Sequence, residues 1–557
     1  MSERKWIIKD ETINRGTISA LMEELGCGEL LASALSVRGI KSSKDAEKFL
    51  TVNDLWNDPM ALPDMAKALN RVKRAKSAGE VTAVFGDYDA DGITATTIMK
   101  DCLEKYGITV IKYIPDRNTE GYGMNKEAID KLHSRGVGLI ITVDCGVSCA
   151  EEIKYAKGMG IDVIVTDHHN CPEVLPECIA VINPKRKDSL YPCTHLAGAG
   201  VAYKFACALV GIDEADRYLQ AAAIGTIADV VELTGENRKI VTKGIEMMNS
   251  NPVTGVEAIL MSAGKNEVDS SAIAYIIAPR INCAGRMESP DSAFELIASE
   301  EINEALKLAD KLNTLNRERQ KCEQEIYTEA VEIIKNRMLY NDKVIVVGKR
   351  NWNPGVIGIA AAKITEKINK PCILIAYDSN GIGRASGRSI EDFNLYDAIK
   401  SAESLLIKFG GHALAAGLSV EEKNEEHFRM AINEYAELHF TKEMEIRKVY
   451  VDSIVRSEAI TVGNIEELTK LEPFGTGNEK PVFAFVNSKI YDLRELSEGK
   501  HLKLTLKKDD FLLEAIAFGY GAMAKKLYKG MTVHVAGNLE INDYNGKAQM
   551  IVKDILY

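Results

Sequence analysis

Between residues 81 and 182 short apolar runs alternate with stretches of helical spacing. VTAVF (81–85) ends in Gly86 and a group of carboxylates, and ITATTIMKDCLEKYG (93–107) follows with helical spacing and a terminal glycine. TVIKYI (109–114), GLIITV (138–143), IDVIVT (161–166) and IAVI (179–182) are further β-rich runs, with helical stretches between most of them. Unbroken apolar strands alternating with helices predict a parallel sheet covered on both faces. From about 196 to 297 the pattern turns mainly helical, and 302–339 contains neither Gly nor Pro, predicting one long helix, or two, that joins two halves. KVIVVG (343–348), a helix over GVIGIAAAKITEKI (355–368) and CILIAY (372–377) predict a second α/β unit. The last hundred-odd residues carry short β-rich runs such as HLKLTLKK and MTVHVAGNLEIND, the pattern of a small β-barrel. The division expected is a helical segment (1–50), a first α/β domain (51–299), a connecting helix (300–340), a second α/β domain (341–444) and a barrel (445–557).

Composition changes this picture little. A chain of 557 residues is too long for one core and fits three or four domains. Its 46% hydrophobic and 27% charged residues are those of an ordinary globular protein. No run approaches eighteen apolar residues, and MSERKWIIKDETINRG lacks an apolar signal core, so a cytoplasmic protein without a membrane span is expected. Eleven scattered cysteines form no CxxC pair, so neither a zinc ribbon nor a disulfide frame is signalled. Cys171 lies close to two histidines, although burial as a small hydrophobe is the commoner fate of a cysteine. The formal charge of −12 does not exclude phosphate substrates, since carboxylates gathered around metals lower the net charge while local basic patches persist.

The chemistry is concentrated where the predicted strands end. FGDYDADG (85–92) places Asp87, Asp89 and Asp91 directly after a strand. Three carboxylates at alternate positions repel one another unless cations neutralise them, and hard divalent ions prefer oxygen ligands. An acidic turn that caps the following helix is the plainer reading, but ligands of open α/β sheets gather beyond the carboxyl ends of the strands. Asp144 ends GLIITV, and Asp167, His168 and His169 end IDVIVT, so three strands deliver such groups to one edge. Asp229 adds a carboxylate within LQAAAIGTIADVVEL, a helix otherwise almost wholly apolar, where an unpaired aspartate costs several kcal/mol or stays protonated.

Taken in order, DADG (89–92), the isolated Asp144, DHH (167–169) and Asp229 resemble the four-motif signature of the DHH phosphoesterases. The resemblance implies Asp89, Asp91, Asp144, His168 and Asp229 as ligands for two divalent cations, Mn2+ or Mg2+, with Asp87 and His169 beside them as ligands or catalytic groups. Two such ions lying about 3.5–4 Å apart lower the pKa of a bridging water and stabilise both attacking and leaving oxygens.

From about residue 50 onward the layout is similar to that of the superfamily's single-strand-specific 5′→3′ DNA exonucleases. The fold implied is α/β throughout its core: a parallel-sheet DHH domain, a long connecting helix, a second α/β DHH-associated domain and a C-terminal OB-type β-barrel. YIPDRNTEGYG (113–123) offers Arg117 to substrate phosphates, and APRINCAGRM (278–287), expected to be irregular, offers Arg280 and Arg286. WNPGVIGIAAAKI (352–364), RASGRS (384–389) and KFGGHALAAGL (408–418) match the DHH-associated domain; Asn353 stands where histidine is frequent and is assigned no role. Ser386 and Arg388 suit a terminal 5′-phosphate, and Gly410, Gly411 and His412, read as leading into an apolar helix, suit a phosphate cradle. The barrel, introduced by LEPFGTGNEKPVF (471–483), carries Tyr491, Lys503, Lys507, Phe518 and Tyr544 as candidates for stacking and backbone contact with a single strand.

The activity implied is 5′→3′ hydrolysis of single-stranded DNA to 5′-mononucleotides in recombination and repair, by a monomer working with partners such as a helicase or a single-strand-binding protein. Two other readings compete. Hydrolases of short oligonucleotides or cyclic dinucleotides usually stop after the second domain, and non-catalytic replication scaffolds have typically lost acidic ligands that this chain retains. No GxxxxGK[ST] loop occurs, which argues against an ATP-driven motor.

Overall fold

The computed structural model describes residues 4–12, 15–52, 56–117, 119–121 and 123–557. Strand β1 (Arg4–Ile8) precedes three helices. The first sheet contains β2 (Val81–Phe85), β3 (Val110–Tyr113), β4 (Val137–Val143), β5 (Asp162–Thr166) and β6 (Ala180–Ile182), all parallel, in the order β3-β2-β4-β5-β6. Alternate side chains of its strands enter two different cores: Val84, Leu139, Ile141 and Val143 pack on one face, Ala83, Phe85 and Ile140 on the other. Burial on both faces explains why the inner strands β2, β4 and β5 read as largely apolar runs.

The second sheet contains β7 (Ile345–Arg350), β8 (Cys372–Tyr377), β9 (Ile382–Arg388), β10 (Leu406–Gly411) and β11 (Ala415–Glu421), in the order β10-β11-β9-β8-β7. Only β7 and β8 are parallel. After β12 (Arg447–Val451) and β13 (Ser453–Ile454), strands β14 (Phe483–Leu496), β15 (His501–Lys508), β16 (Phe511–Ala517), β17 (Thr532–Ile541) and β18 (Ala548–Leu556) curl into a barrel that a β14–β17 pairing closes. Among the described residues no helix is long and apolar enough to cross a membrane.

One helix, Ile302–Asn336, belongs to two cores. Ala305, Ala309 and Leu312 pack on helices of the first unit, while Ile326, Ala330 and Ile334 pack beneath the second sheet. At 35 residues it is about 52 Å long, enough to carry both units as one strut.

Four sequence expectations need correction. The first fifty residues are not purely helical: β1 pairs in parallel with β12, a partner no local pattern could announce. Their helices also share a core with the barrel, where Leu21, Leu30 and Leu35 meet Phe483, Phe485 and Val533. Residues 278–287 form a helix, Ala278–Met287, that continues directly from a π-helical turn, Ile273–Ile277, a local widening of the kind that admits Pro279, and Gly285 packs on the Tyr88 carbonyl. The apolar helix around Asp229 stops at Ala228, leaving Asp229 as its C-terminal cap. Residues 408–418 enter no helix but form the β10–β11 hairpin, whose small residues serve strand packing.

The segment 470–473 that leads into the barrel is fixed by one side chain. Arg238, only 2% exposed, donates to the carbonyls of Phe49, Lys470, Leu471, Glu472 and Pro473 and lies over the Phe49 ring. Nearby, Arg38 donates to Asn478 and to the Glu479 carbonyl, and the Leu233 N–H donates to the Thr476 carbonyl. Three parts of the chain are thereby held together through backbone carbonyls, two of which, on Leu471 and Pro473, also accept from the Asn478 side chain. Arg238→Met should lower the chemical-denaturation midpoint of the full chain by the equivalent of about 3 kcal/mol or more, with Arg238→Lys recovering only part because an ammonium has three donors. An unchanged midpoint in Arg238→Met would show that the seam is held by other contacts.

Candidate metal centre and phosphate site

Strands β2, β4 and β5 are adjacent in the first sheet, so the residues that follow them converge at one edge. Asp87 follows β2, Asp144 follows β4, and Asp167, His168 and His169 follow β5. Asp89 caps the helix Ala90–Tyr106, its Oδ1 accepting from the Gly92 N–H at 3.0 Å. The plainer reading of the acidic turn is thus correct for one oxygen of Asp89, and the same residue still takes part in the cluster. Asp91 does not cap its own helix. It accepts from the N–H groups of Gly198 and Ala199 at 2.7 and 2.8 Å, at the start of the helix Gly198–Val210.

Two glycines make this approach possible. A Cβ on Gly198 would lie 2.5 Å from Asp144 Cβ, and one on Gly225 would lie 2.5 Å from Asp91 Oδ1. Asp144 itself has φ of 59°, a left-handed conformation that aspartate tolerates better than most residues.

Three groups of ligand atoms, each within 4.8 Å, emerge among the described residues: Asp144, His168 and His169; Asp91, His168 and Asp229; and Asp87, Asp89 and Asp144. His168 sits between them, Nε2 at 3.0 Å from Asp144 and 3.8 Å from Asp91, Nδ1 at 3.6 Å from Asp229. Neither buried ring nitrogen makes a hydrogen bond of good geometry, nor does Asp87 Oδ1. Burial and neighbouring carboxylates hold Asp87, Asp91 and Asp144 well above the usual carboxylate range, and burial with Asp89 pushes Asp229 up to about 7. Burial with His169 lowers His168 to about 3, so it is a neutral imidazole with lone-pair capacity. Buried, mutually repelling carboxylates around a neutral imidazole form the donor set of a hard divalent cation, and these residues fit one.

Asp167 has a different task. Its Oδ2 accepts from the Val147 N–H, and its Oδ1 accepts from the N–H groups of His168 and His169 and lies 2.8 Å from His169 Nδ1. Burial alone would lower the His169 pKa, but Asp167 holds it up to about 9. Asp167 therefore fixes both histidines, a positioning role that its place in the motif did not distinguish.

Cations surround the cluster from both units. Arg117 lies over the Tyr88 ring at 5.1 Å. Burial together with Arg117, Arg319 and Arg388 depresses the Arg286 guanidinium to about 10, and burial with Arg117 lowers Arg388. Arg286 also donates across the seam to the Gly355 carbonyl at 3.0 Å. Arg388 donates to Ser386 Oγ at 3.0 Å, and Gly358, in the first turn of the helix Ile357–Ile368, packs against both. A helix start with a serine and an arginine beside it is a ready anion site. Ser386, Gly417 and Gly410 lie in one row across β9, β11 and β10, so the surface beside Ser386 is bare of side chains. Gly410, Gly411 and His412 are exposed at this hairpin, where the His412 N–H donates to the Ala415 carbonyl.

Arg280 points elsewhere, donating to the Ile276 carbonyl and to Asn313 on the long helix. Asn353 turns its side chain to the Gly355 N–H, closing the loop that Arg286 reaches. Sequence reasoning missed Tyr88, Asn282, whose Oδ1 accepts from the Ala90 N–H, and Arg319, buried on the long helix. The signal for Arg319 was available, since Asn313, Asn316 and Arg319 repeat a polar residue every third position on a helix face that is buried. Cys171 belongs to none of the ligand groups.

The chain matches the models of the DHH family N-terminal domain over residues 81–226, of the DHHA1 domain over 341–438 and of the RecJ OB domain over 451–554. It is 38% identical to the single-stranded-DNA-specific exonuclease RecJ of Bacillus subtilis, covering 99% of this chain and 71% of that protein. It is 31% identical to the Haemophilus influenzae protein of the same name, covering 94% of each. Among solved structures, RecJ of Thermus thermophilus with Mn2+ matches at a TM-score of 0.85 and 29% identity, over 100% of this chain and 79% of that one. The same protein with Mg2+ matches at 0.77 and 28%, over 100% and 78%.

Two outcomes test the centre. In chelated protein, Asp144→Asn should raise the melting temperature by relieving repulsion, yet should lose the stabilisation by Mn2+ that amounts to about 2.7 kcal/mol at a hundredfold excess over Kd. A variant that Mn2+ still stabilises fully would remove Asp144 from the centre. The second outcome concerns pH. The Asp229 carboxyl titrates near 7 when folded and near 4 when unfolded, so its contribution to metal-free stability is full below about pH 4 and lost as pH rises through 7. Metal-free Asp229→Asn should therefore lose less stability between pH 4 and 7 than the unsubstituted chain, and parallel curves would refute the assigned environment.

Proposed function

This chain belongs to the RecJ family of single-stranded-DNA-specific exonucleases, and from that membership we propose how its residues carry out the reaction. The reaction is metal-dependent hydrolysis of phosphodiester bonds in single-stranded DNA, proceeding from the 5′ end. The observation that carries this reading is the meeting, across the seam between the two α/β units, of the carboxylate–imidazole cluster with Arg117, Arg286 and Arg388. A phosphate chain needs both: donors that hold its oxygens and a centre that activates water.

Asp89, Asp91, Asp144, His168 and Asp229 hold Mn2+ or Mg2+, with Asp87 at the edge of the set. Two ions are our reading, because His168 and Asp144 are each shared between ligand groups. When bound, such ions supply an activated water and neutralise charge on the scissile phosphate. Asp167 fixes the His169 ring through Nδ1, so that any contact of that ring with phosphate is made through Nε2. Arg117 and Arg286 orient the scissile phosphate from the side of the first unit. Ser386 and Arg388, at the start of a helix, receive a terminal 5′-phosphate, and Gly410, Gly411 and His412 offer a flat neighbouring surface. Arg280 we read as a brace to the long helix rather than a phosphate contact.

A hydrolase of short oligonucleotides or cyclic dinucleotides would not need the closed barrel, and a scaffold would not need the complete set of acidic ligands. Digestion of end-labelled single and double strands tests the function: single strands should be degraded with Mn2+, and chelation should stop the reaction. Asp91→Ala should reduce turnover by several orders of magnitude, and undiminished turnover would sink the assigned centre. Arg388→Ala should weaken the preference for a phosphorylated 5′ end by about 1–3 kcal/mol, the scale of a charge-assisted hydrogen bond. Release of nucleotides from the 3′ end first would overturn the polarity.

A further inference from the structure

A hollow of about 1010 Å³ lies where β1 and β12 meet the barrel and the helix Ile357–Ile368. None of the carboxylates or imidazoles of the metal centre lines it. Seven cationic side chains face it, against three carboxylates. One of those carboxylates, Asp452, is already engaged by Lys9 and the Val482 N–H.

The strand pairing beneath this hollow is electrostatically unusual. Arg4 stands opposite Arg447, and Lys5 opposite Lys448, on neighbouring strands. Like charges directly opposite one another destabilise a sheet unless something negative lies between them. Asp554 compensates Arg4 and Asp392 compensates Lys448. Arg447 has no ion pair among the described residues, and neither has Lys553, which lines the same hollow.

This hollow has a smaller neighbour. Glu479 and Lys480 line both it and a second hollow of about 490 Å³. The second hollow is walled by Ala228, next to Asp229, and by Asn282, which holds the backbone of Ala90. Tyr275, 80% exposed, also lines the second hollow, its ring open to stacking with a base. An exposed aromatic wall and a cationic wall thus adjoin at Glu479 and Lys480.

We infer that the cationic hollow is a second binding site for phosphodiester backbone, one that holds the part of a long single strand not yet delivered to the metal centre. The inference rests on the reading of the chain as a single-strand exonuclease. It adds a place, remote from the chemistry, where charge alone retains the polymer and no base is read.

The test uses the full chain carrying Arg447→Glu and Lys553→Glu together, both outside the catalytic machinery. Binding of labelled single strands is measured by fluorescence anisotropy in chelator, so that cleavage does not intervene. Affinity for a long strand should fall about tenfold or more, and the slope of log K against log salt should become shallower by about 1.4, two phosphate contacts at about 0.7 each. Hydrolysis of strands only a few nucleotides long should keep its kcat and KM. Arg447→Gln with Lys553→Gln should move long-strand affinity in the same direction by a smaller factor, with unchanged melting temperature. Unaltered long-strand affinity and salt slope would overturn the inference, as would an equal loss on short and long strands. If the charge-reversed protein loses binding of a nucleoside monophosphate while keeping long strands, the hollow is a site for free nucleotides and the inference fails. An unsubstituted chain that digests no single strand would instead refute the functional reading, so the two failures are distinguishable.

Discussion

The constraint on which everything else depends is the confinement of like charge. Asp87, Asp91 and Asp144 are buried within reach of one another, and without compensation each raises the cost of ionising the next. The fold accepts that cost because its secondary structure aims there. Three adjacent parallel strands end at the same edge, one helix start donates two N–H groups to Asp91, and glycines clear the space that side chains would fill. A site of this kind is incomplete by construction, its carboxylates poised to release protons when a cation arrives.

The arrangement of the two α/β units follows from the same need. The centre supplies negative groups, and substrate recognition needs positive ones that do not collapse onto them. Arg388 stands on the second sheet, and Arg286, on the first unit, is latched across the seam to the Gly355 carbonyl, so the cations lie near the cluster without pairing into it. The long helix fixes the spacing of the two units, because its two halves are buried in different cores and cannot shift independently. Arg238 does the corresponding work for the barrel, holding its leading segment to the first unit.

Much of this was legible in the sequence, for physical reasons. The inner strands of the first sheet were readable because they are buried on both faces and largely apolar, Asp87, Asp144 and Asp167 because each follows such a strand directly, and Asp229 because its helix is otherwise apolar. The long helix was readable because nothing in residues 302–339 could interrupt it. What escaped notice depends on partners distant in the chain. Strand β1 has only five residues and no nearby mate, and the helix Ala278–Met287 was obscured by a proline and a glycine whose context is the Tyr88 backbone. The hairpin at Gly410 was obscured because small apolar residues suit strands and helices alike. Arg280 and Arg286 share one short motif, yet one turns to the long helix and the other to the seam; spacing alone could not separate them.

The pairing of β1 with β12 bears on how the protein is made. Arg4 must find Arg447, and Trp6 and Arg4 must find Asp554 on the last strand of the barrel. At synthesis rates of about 5–20 residues per second, the first strand leaves the ribosome roughly 20–90 s before its mate exists. For that interval it is an open edge, of the sort that recruits other nascent chains. Arg4 and Lys5 at its head and Lys9 just beyond it give this edge a charge that repels copies of itself. The cations that line the finished hollow would thus have served first as protection for a strand waiting to be paired.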